Sequence, residues 1–157
     1  MRPPTRGTWI LAACVLAAVG STRVLRLNVS GSVAYGLYAL RPVPVHLDHG
    51  TLVVLPVPRS VQHVWSSWVP LLKPIAGLPG DVVCYSENTL YVNGADFGPV
   101  LQTAHGRPLP QLQGCLVVQA SEVFLASPVV HSLDSRYFGG VSVTDLTAVA
   151  LPIFTWR

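Results

Sequence analysis

Short runs of aliphatic and β-branched residues, separated by turn-forming residues, dominate the chain after residue 26. Glycine, proline or asparagine bounds many of them, which is typical of strands joined by short turns. The pattern predicts strands over residues 51–55, 81–85, 89–93, 116–119, 123–126, 141–143 and 147–151. Fourteen prolines and thirteen glycines disfavour long helices in this part of the chain. The predicted fold class is therefore mainly β.

The N-terminus has a different pattern. Arg2 and Arg6 precede an uncharged apolar stretch over residues 8–20. The stretch is shorter than the roughly 17–25 residues of a spanning helix, and it matches the apolar region of a signal sequence. An uncleaved anchor extended at either end fits equally well, and a buried helix of a soluble protein is the third interpretation. We predict an N-terminal transmembrane or signal helix over residues 1–26 and a β-rich domain outside the cytoplasm over residues 27–157.

Composition narrows the class of protein. A chain of 157 residues suits one β domain, and half of its residues are hydrophobic while 11% are charged. The net charge is +3, and the arginines are scattered without a basic run. Nucleic-acid binding is therefore not predicted.

The cysteines and histidines do not predict a metal site. Cys84 and Cys115 both lie in the predicted exported part, where a disulfide can form, and two buried thiols are the alternative. The chain has no CxxC motif, and the pair formed by His46 and His49 lacks a third ligand, so we expect an exposed loop there. We predict neither a metal nor a cofactor.

One lysine is a candidate for a catalytic role. Lys73 is the only lysine in the chain, and its neighbours are mostly apolar. Burial disfavours the charged form of an amine and lowers its pKa, and a neutral amine can act as a general base towards a serine hydroxyl. The simpler interpretation is that a composition biased towards arginine left one lysine by chance.

Two polar clusters lie far from Lys73 in the sequence. Ser30 and Ser32 flank a glycine shortly after the apolar N-terminal stretch, and Asp134 and Arg136 lie two residues apart near the other end. Taken singly, each cluster is more typical of a polar turn or a structural ion pair than of a functional site.

In combination these segments resemble the type I signal peptidase family. The resemblance is carried by Ser-Gly-Ser-Val at 30–33, by Lys73 with Gly-Leu-Pro-Gly-Asp at 77–81, by Val-Asn-Gly at 92–94, and by Ser-x-Asp-Ser-Arg-Tyr-Phe-Gly at 132–139. It extends over residues 8–155 and is strongest for the TraF-type conjugative-transfer branch. In that branch a proline occupies the position of Ala34, so this chain lacks the fixed φ that proline would give.

The resemblance implies a role for each polar residue: Ser32 as the nucleophile, Lys73 as the general base, the Ser30 hydroxyl with the Ser32 backbone N–H as the oxyanion hole, Ser132 as the residue that orients Lys73, and Asp134 with Arg136 as a supporting pair. Val33, beside the nucleophile, is predicted to line a substrate pocket.

The implied function is that of a membrane-bound serine endopeptidase in the bacterial inner membrane, with its catalytic domain facing the periplasm. Its partners would be the lipid membrane and exported precursor proteins such as a conjugative pilin, and either water or the substrate's own amine would resolve the acyl-enzyme. The alternatives are a general signal peptidase, a LexA-like autoprotease, and a catalytically silent scaffold or substrate-binding subunit. The sequence predicts no helical DNA-binding unit, which disfavours the autoprotease.

Overall fold

The computed structural model of the chain describes residues 24–156. The predicted N-terminal helix lies outside the described residues, apart from its last three positions. Within residues 24–156, no helix combines the length and hydrophobicity that crossing a bilayer requires.

The described part of the chain is mainly β, as predicted. Its strands are β1 (Leu25–Asn28), β2 (Tyr35–Arg41), β3 (Leu52–Leu55), β4 (Leu71–Gly77), β5 (Val82–Ser86), β6 (Thr89–Val92), β7 (Ala95–Pro99), β8 (Thr103–Ala104), β9 (Arg107–Pro108), β10 (Gly114–Val117), β11 (Glu122–Leu125), β12 (Val141–Ser142) and β13 (Ala148–Trp156). A four-residue helix, α1 (Ser135–Phe138), and two 3₁₀ turns (Arg59–Val61 and Val143–Asp145) complete the described elements.

Seven strands form the larger sheet, in the order β1-β2-β13-β3-β4-β11-β12. All of its pairings are antiparallel. β1 lies at one edge, so that Leu25 and Arg26, assigned above to the N-terminal segment, pair with β2. The centre of the sheet is formed by β3 and β4, and Lys73 pairs with Val53 there.

Both faces of the central strands are buried. Val53, Leu71 and Ile75 belong to the main hydrophobic cluster, whereas Val54 and Leu72 belong to a second, smaller cluster. Because successive side chains of a strand point to opposite faces, Lys73 leaves β4 on the same face as Leu71 and Ile75. The alternation therefore directs the lysine towards the main core.

A second sheet has four strands in the order β10-β5-β6-β7. Cys84 and Cys115 are directly opposite each other in the pairing of β5 with β10, and they form a disulfide. Buried side chains of this sheet, including Val83 and Leu90, pack into the main cluster together with those of the larger sheet. The two sheets thus share one core.

Candidate active site

Ser32 lies in the turn that joins β1 to β2, and the buried side chain of Asn28 holds this turn. The Asn28 amide nitrogen donates hydrogen bonds to the carbonyl oxygens of Ser30 at 2.9 Å and of Ala34 at 3.0 Å. The Tyr38 hydroxyl donates a further bond to the same Ala34 carbonyl at 2.7 Å. An asparagine side chain that bonds the backbone two residues on is a known turn-forming arrangement. The turn is therefore fixed without a proline at position 34.

Lys73 reaches this turn from the centre of β4. Its Nζ donates hydrogen bonds to the hydroxyl oxygen of Ser32 and, at 3.0 Å, to that of Ser132. The Lys73 side chain is nearly excluded from solvent, with a relative exposure of 3%. The structure thus brings together three side chains that are separated by 41 and 59 residues in the sequence.

Both of these partners of Lys73 are neutral hydroxyls. Among residues 24–156, basic and acidic side chains lie at salt-bridge distance only in the contacts of His49 with Asp81 and of Arg136 with Asp134, so Lys73 has no carboxylate at that distance. Burial lowers the pKa of Lys73 from 10.5 to about 8, while Asp134 raises it and Arg136 lowers it by smaller amounts. An amine with such a pKa is partly neutral near pH 7–8 and can accept a proton from an adjacent hydroxyl.

Asp134 and Arg136 form a buried, doubly hydrogen-bonded pair below the site. Arg136 Nε donates to one carboxylate oxygen of Asp134 at 2.8 Å, and a terminal guanidinium nitrogen donates to the other at 3.2 Å. Asp134 also caps α1, where it accepts a bond from the Arg136 backbone N–H at 3.2 Å. The pair is fully buried and fixes the segment that presents Ser132.

Ser127 connects this ion pair to the turn that carries Ser32. Its backbone N–H donates to Asp134 at 3.1 Å, and its carbonyl accepts a bond from Arg136. Its hydroxyl donates to the backbone carbonyl of Ser32 at 2.7 Å. A continuous chain of hydrogen bonds therefore runs from the ion pair to the backbone of Ser32.

A mostly apolar cavity of about 310 Å³ opens beside these groups. Ser30, Ser32 and Lys73 line it, together with Trp65, His105 and His131. An apolar cleft with a few convergent polar groups is the usual form of a site for a small molecule or a peptide side chain.

Most of the residues predicted from the sequence meet at this cavity or support it. Val33 does not line the cavity; it is half-buried and packs against the second hydrophobic cluster. The turn places the Val33 side chain on the opposite face of the sheet from Lys73. Val33 is therefore next to Ser32 in the sequence but does not lie beside it at the cavity. The disulfide between Cys84 and Cys115 belongs to the four-stranded sheet.

The sequence analysis did not predict a role at the site for Asn28 or Ser127. Asn28 had a recognisable signal, because an asparagine two residues before a polar turn is typical of a side chain that bonds the local backbone. Ser127 had no comparable signal. Its bonds join segments 95 residues apart, which no local pattern indicates.

Comparison with known proteins identifies the family. The family described as "Signal peptidase, peptidase S26" matches residues 7–156. The "Plasmid transfer protein TraF" of Escherichia coli is 28% identical over 93% of this chain and 91% of its own length. The "Conjugal transfer protein TraF" of Agrobacterium tumefaciens strain 15955 is 30% identical over 90% of this chain and 89% of its own length.

A solved structure also matches part of the chain. The crystal structure of a signal peptidase I from Enterococcus faecalis covers 68% of this chain and 98% of its own, with a TM-score of 0.43 and 23% sequence identity. The family match extends over nearly the whole chain, and the chain belongs to the signal peptidase family, peptidase S26.

Proposed function

We propose that this chain is a serine endopeptidase in which Ser32 and Lys73 form a catalytic dyad. The observation that carries the proposal is the buried Lys73 amine, which contacts the hydroxyls of Ser32 and Ser132 and has a pKa lowered to about 8. A serine hydroxyl becomes an effective nucleophile when a nearby base accepts its proton. In this proposal Lys73 serves as that base.

The reaction would begin with attack on a substrate carbonyl. Ser32 Oγ forms a bond to the carbonyl carbon while its proton passes to Lys73 Nζ. The C–N bond of the tetrahedral intermediate then breaks, and the leaving amine takes the proton from Lys73. An ester on Ser32 remains, and water or the substrate's own amine resolves it, again with Lys73 as the proton acceptor.

The developing oxyanion would be stabilised by the Ser32 backbone N–H and the Ser30 hydroxyl. Ser32 and Ser30 both border the cavity beside Lys73. Donors in an oxyanion hole each typically account for about 10²–10³ in rate. Ser132 would keep the Lys73 amine pointed at Ser32, and the Asp134–Arg136 pair would hold both segments in place.

The substrate would be an exported precursor that binds in extended form. β1 forms an edge of the larger sheet next to the Ser32 turn, so a substrate strand can pair with it while its side chains enter the cavity. The relatives named as plasmid and conjugal transfer proteins favour a precursor that serves conjugative transfer, such as a pilin. Resolution by the amine terminus of that precursor would give a cyclic product.

We further propose that the N-terminal apolar stretch attaches the enzyme to the bacterial inner membrane, with residues 27–157 in the periplasm. The support is the sequence pattern of residues 8–20. This placement brings the cavity close to precursors that emerge from the membrane.

The test is a processing assay with the full-length protein in lipid bilayers and a pilin precursor as the substrate. We expect Ser32→Ala and Lys73→Arg to lose processing, because alanine removes the nucleophile and a guanidinium stays charged at the pH of the assay. Ser86→Ala, an exposed serine of β5, is the matched control and should process the precursor at the wild-type rate.

The products are identified by intact mass. A product lighter by one water than the hydrolysed peptide would establish cyclisation, and cleavage of unrelated signal-peptide precursors at the same rate would favour a general signal peptidase. Wild-type processing by both Ser32→Ala and Lys73→Arg would refute the dyad and favour the scaffold function.

A further inference from the structure

The Ser30 hydroxyl is already engaged in the resting structure. Ser30 Oγ donates its hydrogen bond to Asn28 Oδ1 at 2.8 Å, and the Ser30 backbone N–H donates to the same oxygen at 3.3 Å. A hydroxyl carries a single proton, so the bond to Asn28 occupies the donor that an oxyanion would need. The donor must change its acceptor during the reaction.

Asn28 is fixed tightly enough to hold that proton in a defined place. Its side chain has a relative exposure of 3%, and its amide nitrogen donates to three carbonyl oxygens of the turn. Those carbonyls belong to Ser30, Val33 and Ala34. Because the amide nitrogen faces the carbonyls, Oδ1 is left to face the N–H and the hydroxyl of Ser30.

We propose that Asn28 is a positioning residue that holds the Ser30 proton until negative charge develops on the substrate carbonyl oxygen. The inference rests on the proposed function, in which the Ser30 hydroxyl contributes to the oxyanion hole. Rotation about the Cβ–Oγ bond of Ser30 moves the proton from Asn28 Oδ1 to the oxyanion. Asn28 Oδ1 keeps a partner afterwards, because the backbone N–H of Ser30 still donates to it.

The competition between the two acceptors makes this arrangement selective for the transition state. A neutral substrate carbonyl is an acceptor of about the same strength as the Asn28 amide oxygen, so the exchange gives little advantage when substrate first binds. Hydrogen bonds to a charged oxygen are roughly twice as strong as those to a neutral one. An interaction that forms only in the transition state raises kcat rather than lowering KM.

The test is a double-mutant cycle between positions 28 and 30 in the full-length protein, with a peptide spanning the precursor's cleavage site as the substrate. Asn28→Asp preserves the size of the side chain but places a carboxylate against the turn carbonyls and gives Ser30 a stronger competing acceptor. We expect kcat to fall about 10²-fold, as for loss of one oxyanion donor, with KM changed less than about twofold.

In the Ser30→Ala background there is no proton to hold, so the loss of kcat caused by Asn28→Asp should be about tenfold smaller there than in the wild type. Asn88→Asp, an exposed asparagine in the turn between β5 and β6, is the matched control and should leave kcat unchanged. Thermal unfolding of each variant identifies any that fails to fold. If Asn28→Asp does not fold, Asn28→Ala replaces it in the cycle: it removes the acceptor that holds the proton, and the inference then requires its effect on kcat to be smaller in the Ser30→Ala background than in the wild type.

Independent, multiplicative losses at positions 28 and 30 would overturn the inference, as would an Asn28→Asp enzyme with wild-type kcat. Ser32→Ala is measured in parallel. Wild-type activity of Ser32→Ala would refute the proposed function itself, whereas an inactive Ser32→Ala with no coupling between positions 28 and 30 would refute only the role of Asn28.

Discussion

Two buried cations of this protein have opposite surroundings. Arg136 is fully buried against the carboxylate of Asp134 and donates further bonds to the carbonyls of Pro99 and Ser127. Lys73 is buried almost as completely, but its side-chain partners are the hydroxyls of Ser32 and Ser132. The first cation is neutralised by its partner, and the second is not.

This difference in surroundings predicts different roles: the paired Arg136 stabilises the fold, whereas the unpaired Lys73 is available for proton transfer. A paired guanidinium stays charged and joins the segments it bonds, so it fixes geometry. Burial of an amine without a carboxylate partner lowers its pKa, so a larger fraction of it is in the neutral form, which is the form that accepts a proton. The two cations therefore differ in what their removal should do to stability and to activity.

Removal of the Asp134 carboxylate should have the largest effect on stability. Asp134→Asn leaves Arg136 buried without a counter-charge, and we expect the free energy of unfolding to fall by about 3–5 kcal/mol. Urea unfolding measures it. The double variant Asp134→Asn with Arg136→Met should recover part of the loss, since no unpaired charge remains. A single variant within about 1 kcal/mol of the wild type would show that the pair is not a structural anchor.

Removal of the Lys73 amine should instead raise the free energy of unfolding. The lowering of its pKa from 10.5 to about 8 means that the charged form destabilises the folded state by roughly 3 kcal/mol. Lys73→Met should therefore be inactive and more stable than the wild type at pH 7. The gain should shrink above pH 8 and vanish above about pH 10.5, because the folded protein then releases a proton that the unfolded chain still binds.

Urea unfolding of Lys73→Met and of the wild type at pH 7 and pH 10 checks this dependence on pH. A destabilised Lys73→Met variant at pH 7 would mean that the bonds of the amine to Ser32 and Ser132 outweigh the cost of its burial.

Ser132→Ala should have the smallest effect of these substitutions. It removes one hydrogen-bond acceptor from the charged Lys73 amine at 3.0 Å, so the pKa of Lys73 should fall further. We expect kcat/KM to fall about fivefold, as for loss of one hydrogen bond, and its rise with pH to move to lower pH. Kinetics across pH 6–10 give both values, with Ser86→Ala as the control. An unchanged profile would show that Ser132 does not orient the amine.

Much of the strand structure could be predicted from the sequence. The strands β3, β5, β6 and β11 fall within a residue or two of their predicted bounds, because each is a short β-rich run next to turn residues. β4 was not predicted, because Lys73 and Pro74 interrupt its apolar pattern. A strand that carries a buried ionisable residue departs from the apolar pattern by which strands are recognised, and here that residue is the proposed general base.

The residues of the site could be predicted only in part. Ser32, Lys73 and Ser132 belong to sequence motifs, and the structure brings their side chains into contact. The hydrogen bond from Ser127 to the Ser32 carbonyl follows from tertiary packing, which no local pattern encodes. The placement of Val33 away from the cavity follows from the course of a single turn, which sequence spacing does not determine.

Lys73 is expected to titrate near neutral pH, and because it is the only lysine in the sequence its titration can be measured directly. Incorporation of ¹³C- and ¹⁵N-labelled lysine gives NMR signals from this one side chain in the full-length protein. We expect a titration midpoint at about pH 8. A midpoint near the ordinary value of 10.5 would mean that the amine stays charged at the pH of the reaction, and Lys73 would not be the general base.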